Sequence, residues 1–244
     1  MKVLILTTES KHHTYFIMKL FEEFEVVGLV YERRRIVKDY PTGPIFETEE
    51  QEFEERFFDK SLDGVSRNLP ANLMERTIEV HSVNQRGFAA YIRALEPDVA
   101  IAFGVGFIMP SVFSIPHWGT INVHRGIAEE YRGLDSDLWA IYHKRFDQIG
   151  VTVHYVDEGL DTGDVLAQEH ISIEPRDEIF HLRYKTTLGA TRLVSSVLSE
   201  FAERGGPLEG ESPRRVGAYY SSMPLDLKQV AQSYFCEFKE SLNA

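Results

Sequence analysis

Five short apolar runs, each separated from the next by a stretch of other character, constrain this chain more than any other feature. Lys2 to Thr7, Val26 to Tyr31, Thr77 to Val80, Val99 to Phe103 and Thr120 to Val123 are dominated by Val, Ile, Leu, Phe and Thr. Runs written as near-continuous apolar text belong to strands covered on both faces. Between them Phe16, Ile17, Leu20, Phe21 and Phe24 recur at helical spacing, and Phe88 to Leu95 forms a second helical segment. Alternating strands and helices predict an α/β fold, with a mostly parallel sheet and helices on both faces.

The rest of the chain decorates that frame. Thr48 to Asp63 is dense in Glu and Phe, with Phe53, Phe57 and Phe58 on one helical face, and is expected to be an amphipathic insertion. A helix is expected from Asp137 to His143, with Asp137 as its N-cap. Val151 to Tyr155 and Val165 to Ile173 predict a hairpin whose long acidic tip is Asp157 to Asp164. A long helix follows from Asp177 to about Ala202, and Gly205-Gly206-Pro207 then breaks the chain. We therefore expect a main domain over residues 1–206 and a small C-terminal appendage over 207–244, with a short helix from Leu225 to Phe235. That appendage is too small for a core of its own, so it should pack on the main domain or form a homodimer.

Composition excludes several function classes. With 244 residues, 43% of them apolar, the chain can bury a sizeable core. Its net charge of −12 would repel a nucleic-acid backbone or an anionic membrane surface. Cys236 is the only cysteine, so neither an internal disulfide nor a cysteine-based metal cluster is expected. No apolar run approaches the ~18 residues of a membrane span, so a soluble, cytoplasmic protein is expected.

Chemistry is expected at the end of the fifth run. Asn122 and His124 alternate across Val123, so both point the same way at the C-terminal edge of the sheet, where α/β proteins bind ligands. An amide donor beside an imidazole suits the alkoxide formed when an amine attacks a carbonyl. Asp161, at the hairpin tip, could hold a neighbouring histidine charged. His154, if it points inward, is a satisfied supporting group, and no metal cluster is apparent.

Four segments occur in order: Asn122-Val123-His124, Tyr131-Arg132-Gly133, Gly150-Val151-Thr152-Val153-His154 and Gly159-Leu160-Asp161-Thr162-Gly163-Asp164. Together with Pro97-Asp98 and Gly106-Phe107-Ile108-Met109-Pro110, they resemble the folate-dependent formyltransferase family, above all the bacterial sugar N-formyltransferases. The likeness is motif-specific from about Pro97 to Ile173. It implies a Rossmann-like fold, N10-formyltetrahydrofolate as donor, and Asn122, His124 and Asp161 as the catalytic residues. It also implies that backbone around Gly106, Phe107, Ile108 and Met109, and around Tyr155, Gly159 and Leu160, holds the pterin. Where many members carry Ser-Leu-Leu-Pro, this chain has Gly126-Ile127-Ala128-Glu129 after Arg125, which bears on the acceptor pocket.

Three acceptors fit that resemblance. A glycinamide ribonucleotide enzyme would carry a Gly/Ser-rich phosphate loop where this chain has Thr7 to His13. A tRNA enzyme would add a basic C-terminal barrel that the short tail cannot supply. The remaining expectation is the amine of a nucleotide-linked amino deoxysugar, as in polysaccharide biosynthesis. Its pyrophosphate would meet Arg33, Arg34 and neighbouring Arg35, with His13 or His12 assisting and Arg132 contacting substrate. Hydrolysis of formyl-tetrahydrofolate by the same three residues is the rival from another class.

Overall fold

A computed structural model describes residues 1–33, 37–61 and 69–242. In chain order the elements are β1 (Lys2–Thr7), α1 (Lys11–Glu23), β2 (Glu25–Glu32), α2 (Glu47–Ser61), α3 (Ala71–Met74), β3 (Thr77–Val80), α4 (Phe88–Leu95), β4 (Val99–Phe103) and α5 (Pro110–Phe113). They continue with β5 (Thr120–His124), β6 (Tyr131–Gly133), α6 (Ser136–Tyr142), β7 (Gly150–Tyr155), β8 (Val165–His170), α7 (His181–Arg204), β9 (Ala218–Tyr220) and α8 (Leu225–Ser241). The main sheet runs β3-β2-β1-β4-β5-β7-β8. Its first five strands are parallel, and β7 then runs antiparallel to β5 and to β8.

The pleat of β1 shows why the apolar runs are continuous. Val3 and Ile5 pack on one face with Phe16, Ile17 and Leu20 of α1 and with Val194, Leu198 and Phe201 of α7. Leu4 and Leu6 pack on the other face with Phe88 and Ile92 of α4 and Val112 of α5. Each fully buried aliphatic or aromatic side chain contributes about 1.5–3 kcal/mol. A polar residue on either face of this strand would therefore be costly.

Chain order places the crevice. From β1 the chain crosses outward to β2 and β3, then returns to the far side of β1 as β4. The segments that follow β1 and β4 therefore part in opposite directions at the C-terminal edge, leaving the gap where open α/β sheets bind ligands.

The structure adjusts several expectations. The hairpin strand expected to reach Ile173 stops at His170. The long helix begins at His181 rather than Asp177, because Asp177 accepts from the Glu174 N–H and the Lys185 ammonium and closes a turn instead. It ends at Arg204, where Gly205 turns into the left-handed region. The final helix continues past Phe235 to Ser241. The insertion is helical, and Phe53 and Phe58 are buried against Tyr184 and His181 of α7.

The C-terminal residues weave back into the body. Val165 and Glu211 exchange backbone hydrogen bonds, β9 pairs in parallel with β6, and α8 covers α6. Phe235, Ala231 and Met223 share a buried cluster with Tyr131, Ile141 and Ile171. Among the described residues no helix is long and apolar enough to cross a membrane.

Candidate active site

A cavity of about 840 Å³ opens at the crevice. β5 delivers Asn122 and His124 to its floor, and the antiparallel register sets His154 of β7 directly opposite Asn122. The loop after β7 then turns back over them. Asp157 holds that loop by accepting from the Gly159 N–H and the Thr162 hydroxyl. Asp161 sits at φ 53, a left-handed conformation that Asp tolerates better than most residues.

Four polar side chains meet there. Oδ1 of Asp161 accepts from Asn122 Nδ2 at 3.0 Å and lies 3.5 Å from His154 Nε2. Oδ2 accepts from the Gly133 N–H at 2.8 Å and lies 3.5 Å from His124 Nδ1. The carboxylate side chain is 8% exposed and His124 5%. Burial alone would raise the Asp161 carboxyl. The His124 charge, the His154 hydrogen bond and charge, and the Gly133 N–H outweigh it and hold the group well below the usual carboxylate range. Asp161 is thus an ionised acceptor at neutral pH.

The histidines are oriented by carbonyls. His124 Nε2 donates to the Tyr131 carbonyl at 2.7 Å, which turns Nδ1 toward Asp161. His154 Nδ1 donates to the Tyr155 carbonyl at 2.8 Å, which turns Nε2 toward Asn122, 3.2 Å away. Gly126 permits this packing, since a Cβ there would lie 2.7 Å from His124 Nε2 and 2.6 Å from the Ser136 Cβ.

One wall of the cavity is main chain and apolar. Gly106, Phe107, Ile108, Val156, Gly159 and Leu160 line it. Glu32, a buried carboxylate at the end of β2, accepts from the N–H groups of Val83 and Gly106. Asn84 holds the Phe107 carbonyl and the Met109 N–H. The Gly106 and Met109 donors are therefore spent on fixing the loop. Met109 and Tyr155 lie outside the lining. Tyr155 instead bonds its hydroxyl to the Leu208 carbonyl and its own carbonyl to His154. Glu32 and Asn84 escaped the sequence reading, although a charge closing an apolar parallel strand was a visible signal.

The opposite wall is ionic. Arg125 donates to Asp137 at 3.1 Å and to the Thr186 hydroxyl at 3.0 Å. Arg183 of α7 pairs with Glu50 and with Glu54 of α2. Lys228 lies 3.4 Å from Asp135 and donates to the Thr42 carbonyl. The expected N-cap, Asp137, is instead a buried first-turn partner of Arg125, and Asp135 occupies the cap position at φ 52.

The residues expected to meet a pyrophosphate are placed differently. Arg33 bonds Glu9 and Glu79 at the protein surface. Arg34 and Arg35 lie outside the described residues. Arg132 spends its guanidinium on the carbonyls of Gly217 and Leu160, bracing the Asp161 loop against the C-terminal segment. His13 lines the cavity, bonded to the Thr8 carbonyl at 2.8 Å with its ring against Phe103. Burial pulls its pKa down to about 4, and burial together with the charges of His13, Arg183 and Arg125 lowers that of His12. Both rings are neutral at pH 7 and offer no charge to a phosphate. Among the described residues no group of His, Cys, Asp or Glu could hold a metal ion.

An amide, two imidazoles and a carboxylate thus meet at the C-terminal edge of an open α/β sheet, beside the switch point between β1 and β4. Residues 45–198 match the model of the formyl transferase family, and the chain belongs to that family. A methionyl-tRNA formyltransferase of Caldicellulosiruptor saccharolyticus is 36% identical over 112 residues, 45% of this chain and 36% of that one. The matched segments span about a third of the length of such curated relatives. A sugar N-formyltransferase from Shewanella sp FDAARGOS_354 shares the fold at TM-score 0.63 and 14% identity, over 96% of this chain and 87% of that one. HypX from Aquifex aeolicus, solved in complex with tetrahydrofolic acid, shares it at TM-score 0.60 and 18% identity, over 96% and 34%.

Proposed function

We propose that this chain transfers a formyl group from N10-formyltetrahydrofolate to the primary amine of a small molecule. The observation that carries the reading is the convergence of Asn122, His124 and Asp161 beside an apolar, backbone-lined wall, in a member of the formyl transferase family. That wall suits a flat ring system: Phe107, Ile108, Val156 and Leu160 supply apolar surface, and Glu32 and Asn84 fix the loop beneath it. When bound there, the folate supplies an activated formyl carbon.

The residues then divide the work. The acceptor amine arrives as an ammonium and loses a proton to ionised Asp161, directly or through one water. Its nitrogen lone pair forms the new C–N bond while the carbonyl electrons move to oxygen. Asn122 Nδ2, now bonded to Asp161, is the donor placed to swing onto that oxyanion. The adduct nitrogen passes its remaining extra proton, by way of a bound water beside His124, to the departing folate nitrogen as the carbonyl re-forms and the original C–N bond breaks. His124, held by the Tyr131 carbonyl, supports the charge on Asp161, which sheds the first proton to solvent. No covalent enzyme intermediate is needed.

Of the residues expected to meet a nucleotide-linked amino sugar, Arg33 is held by two surface carboxylates and Arg132 by two carbonyls, while Arg34 and Arg35 lie outside the described residues. The test of formyl transfer is release of tetrahydrofolate from N10-formyltetrahydrofolate with and without amines. Acceptor-dependent release, abolished in Asp161→Asn, is the expected result. Equal release without any amine would make the protein a hydrolase.

A further inference from the structure

The ionic wall has a sign. Among its described residues five carboxylates, Glu47, Glu50, Glu54, Asp135 and Asp137, face three cations. Each cation is already committed: Arg125 to Asp137, Arg183 to Glu50 and Glu54, and Lys228 to Asp135 and a carbonyl. The two histidines on this side are neutral at pH 7. A phosphate entering here would compete with a carboxylate for each cation and leave that carboxylate without its partner. Glu50 already feels this environment, since burial raises its carboxyl despite Arg183.

Two further atoms describe what the wall lacks. Arg183 Nε and His12 Nδ1 are buried without a hydrogen-bond partner, although most buried polar atoms have one. His12 Nδ1 lies 3.7 Å from Glu54, so both orphans border the same pair of acidic residues on α2. An uncharged imidazole and a guanidinium N–H are served by hydroxyl or carboxylate oxygens, while Glu50 and Glu54 favour a cation.

From this arrangement, and resting on the proposed formyl transfer, we infer that the acceptor is a compact phosphate-free amine of zero or positive net charge. It carries hydroxyl or carboxylate oxygens, and α1, α2 and α7 select it through His12, Glu50, Glu54 and Arg183. An amino acid with a side-chain amine and a free amino sugar have this chemistry; a nucleotide-linked sugar and a ribonucleotide do not.

The experiment measures tetrahydrofolate release and tetrahydrofolate binding in parallel. Ornithine, lysine and free amino sugars are compared with nucleotide-linked amino sugars and glycinamide ribonucleotide, and inorganic pyrophosphate and uridine diphosphate serve as inhibitor probes. We expect turnover with a phosphate-free amine, at kcat/KM about tenfold or more above any phosphorylated acceptor. Neutralising either glutamate, as Glu50→Gln or Glu54→Gln, should raise KM for that amine about tenfold with tetrahydrofolate binding unchanged. The double variant should do something that a loss of packing would not: with Arg183 released, pyrophosphate should become an inhibitor. Preference for a phosphorylated acceptor, or silence of every phosphate-free amine in a protein that binds tetrahydrofolate, overturns the inference and leaves the folate site standing. Absence of tetrahydrofolate binding removes the functional reading itself.

Discussion

The two walls of the cavity are made of different material. The wall of Gly106 to Ile108 and Val156 to Leu160 is mostly backbone and apolar side chains, held from behind by Glu32, Asn84 and Asp157. The facing wall is side chain against side chain, with Glu50, Glu54, Arg125, Asp137, Arg183 and Lys228 contributed by separate parts of the chain. The first has a fixed shape that few substitutions can alter. The second has a charge pattern that a single substitution can rewrite. One constant partner and one changeable partner is what the proposed transfer reaction would ask of two walls meeting at Asn122, His124 and Asp161.

The strongest way to break the comparison is at the seam. Asp161→Asn keeps the shape but removes the proposed acceptor of the amine proton, and should lower kcat by about 10²–10⁴ while leaving tetrahydrofolate affinity nearly unchanged. Single-turnover kinetics beside a binding titration would check this. A matching loss of folate affinity would place Asp161 in binding instead.

Gly133 tests the support beneath both walls. Its φ is +93, its N–H bonds Asp161, and an added Cβ would strike the Tyr220 carbonyl oxygen. Gly133→Ala should cost about 2–3 kcal/mol through strain and a broken β6–β9 pairing. At the size of this chain that is a fall in Tm of roughly 5–10 °C, with activity lost in proportion to the misplacement of Asp161.

Acid separates the walls more gently. The folded protein keeps His13 neutral down to about pH 4, whereas the unfolded chain protonates it from about 6.5 downward. The unfolded state therefore binds more protons in that window, so stability is full above it and falls as pH drops from about 6.5 to about 4. His13→Gln should flatten that part of a Tm-versus-pH curve. The contribution of Asp161, whose carboxyl is depressed, persists above its ordinary value near 3.8 and is lost only below it, so the two windows can be told apart. The smallest effect is expected at Arg33, whose exposed pairs with Glu9 and Glu79 lie away from the cavity. Arg33→Ala should change the acceptor KM by less than about twofold.

The same contrast explains what the sequence disclosed. β1, β3, α4 and β4 have the boundaries read from their apolar runs, because burial on two faces leaves a local trace. Asn122, His124 and Asp161 stood out because their neighbours form contiguous motifs. The ionic wall left no such trace: Glu50 lies on an insertion, Arg125 after a strand, Arg183 on a late helix and Lys228 near the end, and only folding brings them together. β6 and β9 were missed for the same reason. Three residues have no period to detect, and the partner of Arg132, Gly217, lies 85 positions away.

That separation also sets an order of events during synthesis. The loop bearing Asp161 is complete long before Gly217 and β9 exist, yet Arg132 takes one of its two carbonyl partners, and Gly133 its strand partner, from that later segment. Domains assemble as they leave the ribosome, earlier parts first. The parallel sheet can therefore close while the Asp161 loop still lacks the part of its brace that Gly217 and β9 supply. A nascent chain halted in the long helix would have its crevice and the Asn122 and Gly133 bonds to Asp161, but neither the Gly217 carbonyl nor the β9 strand that fix Arg132 and Gly133 from the far side.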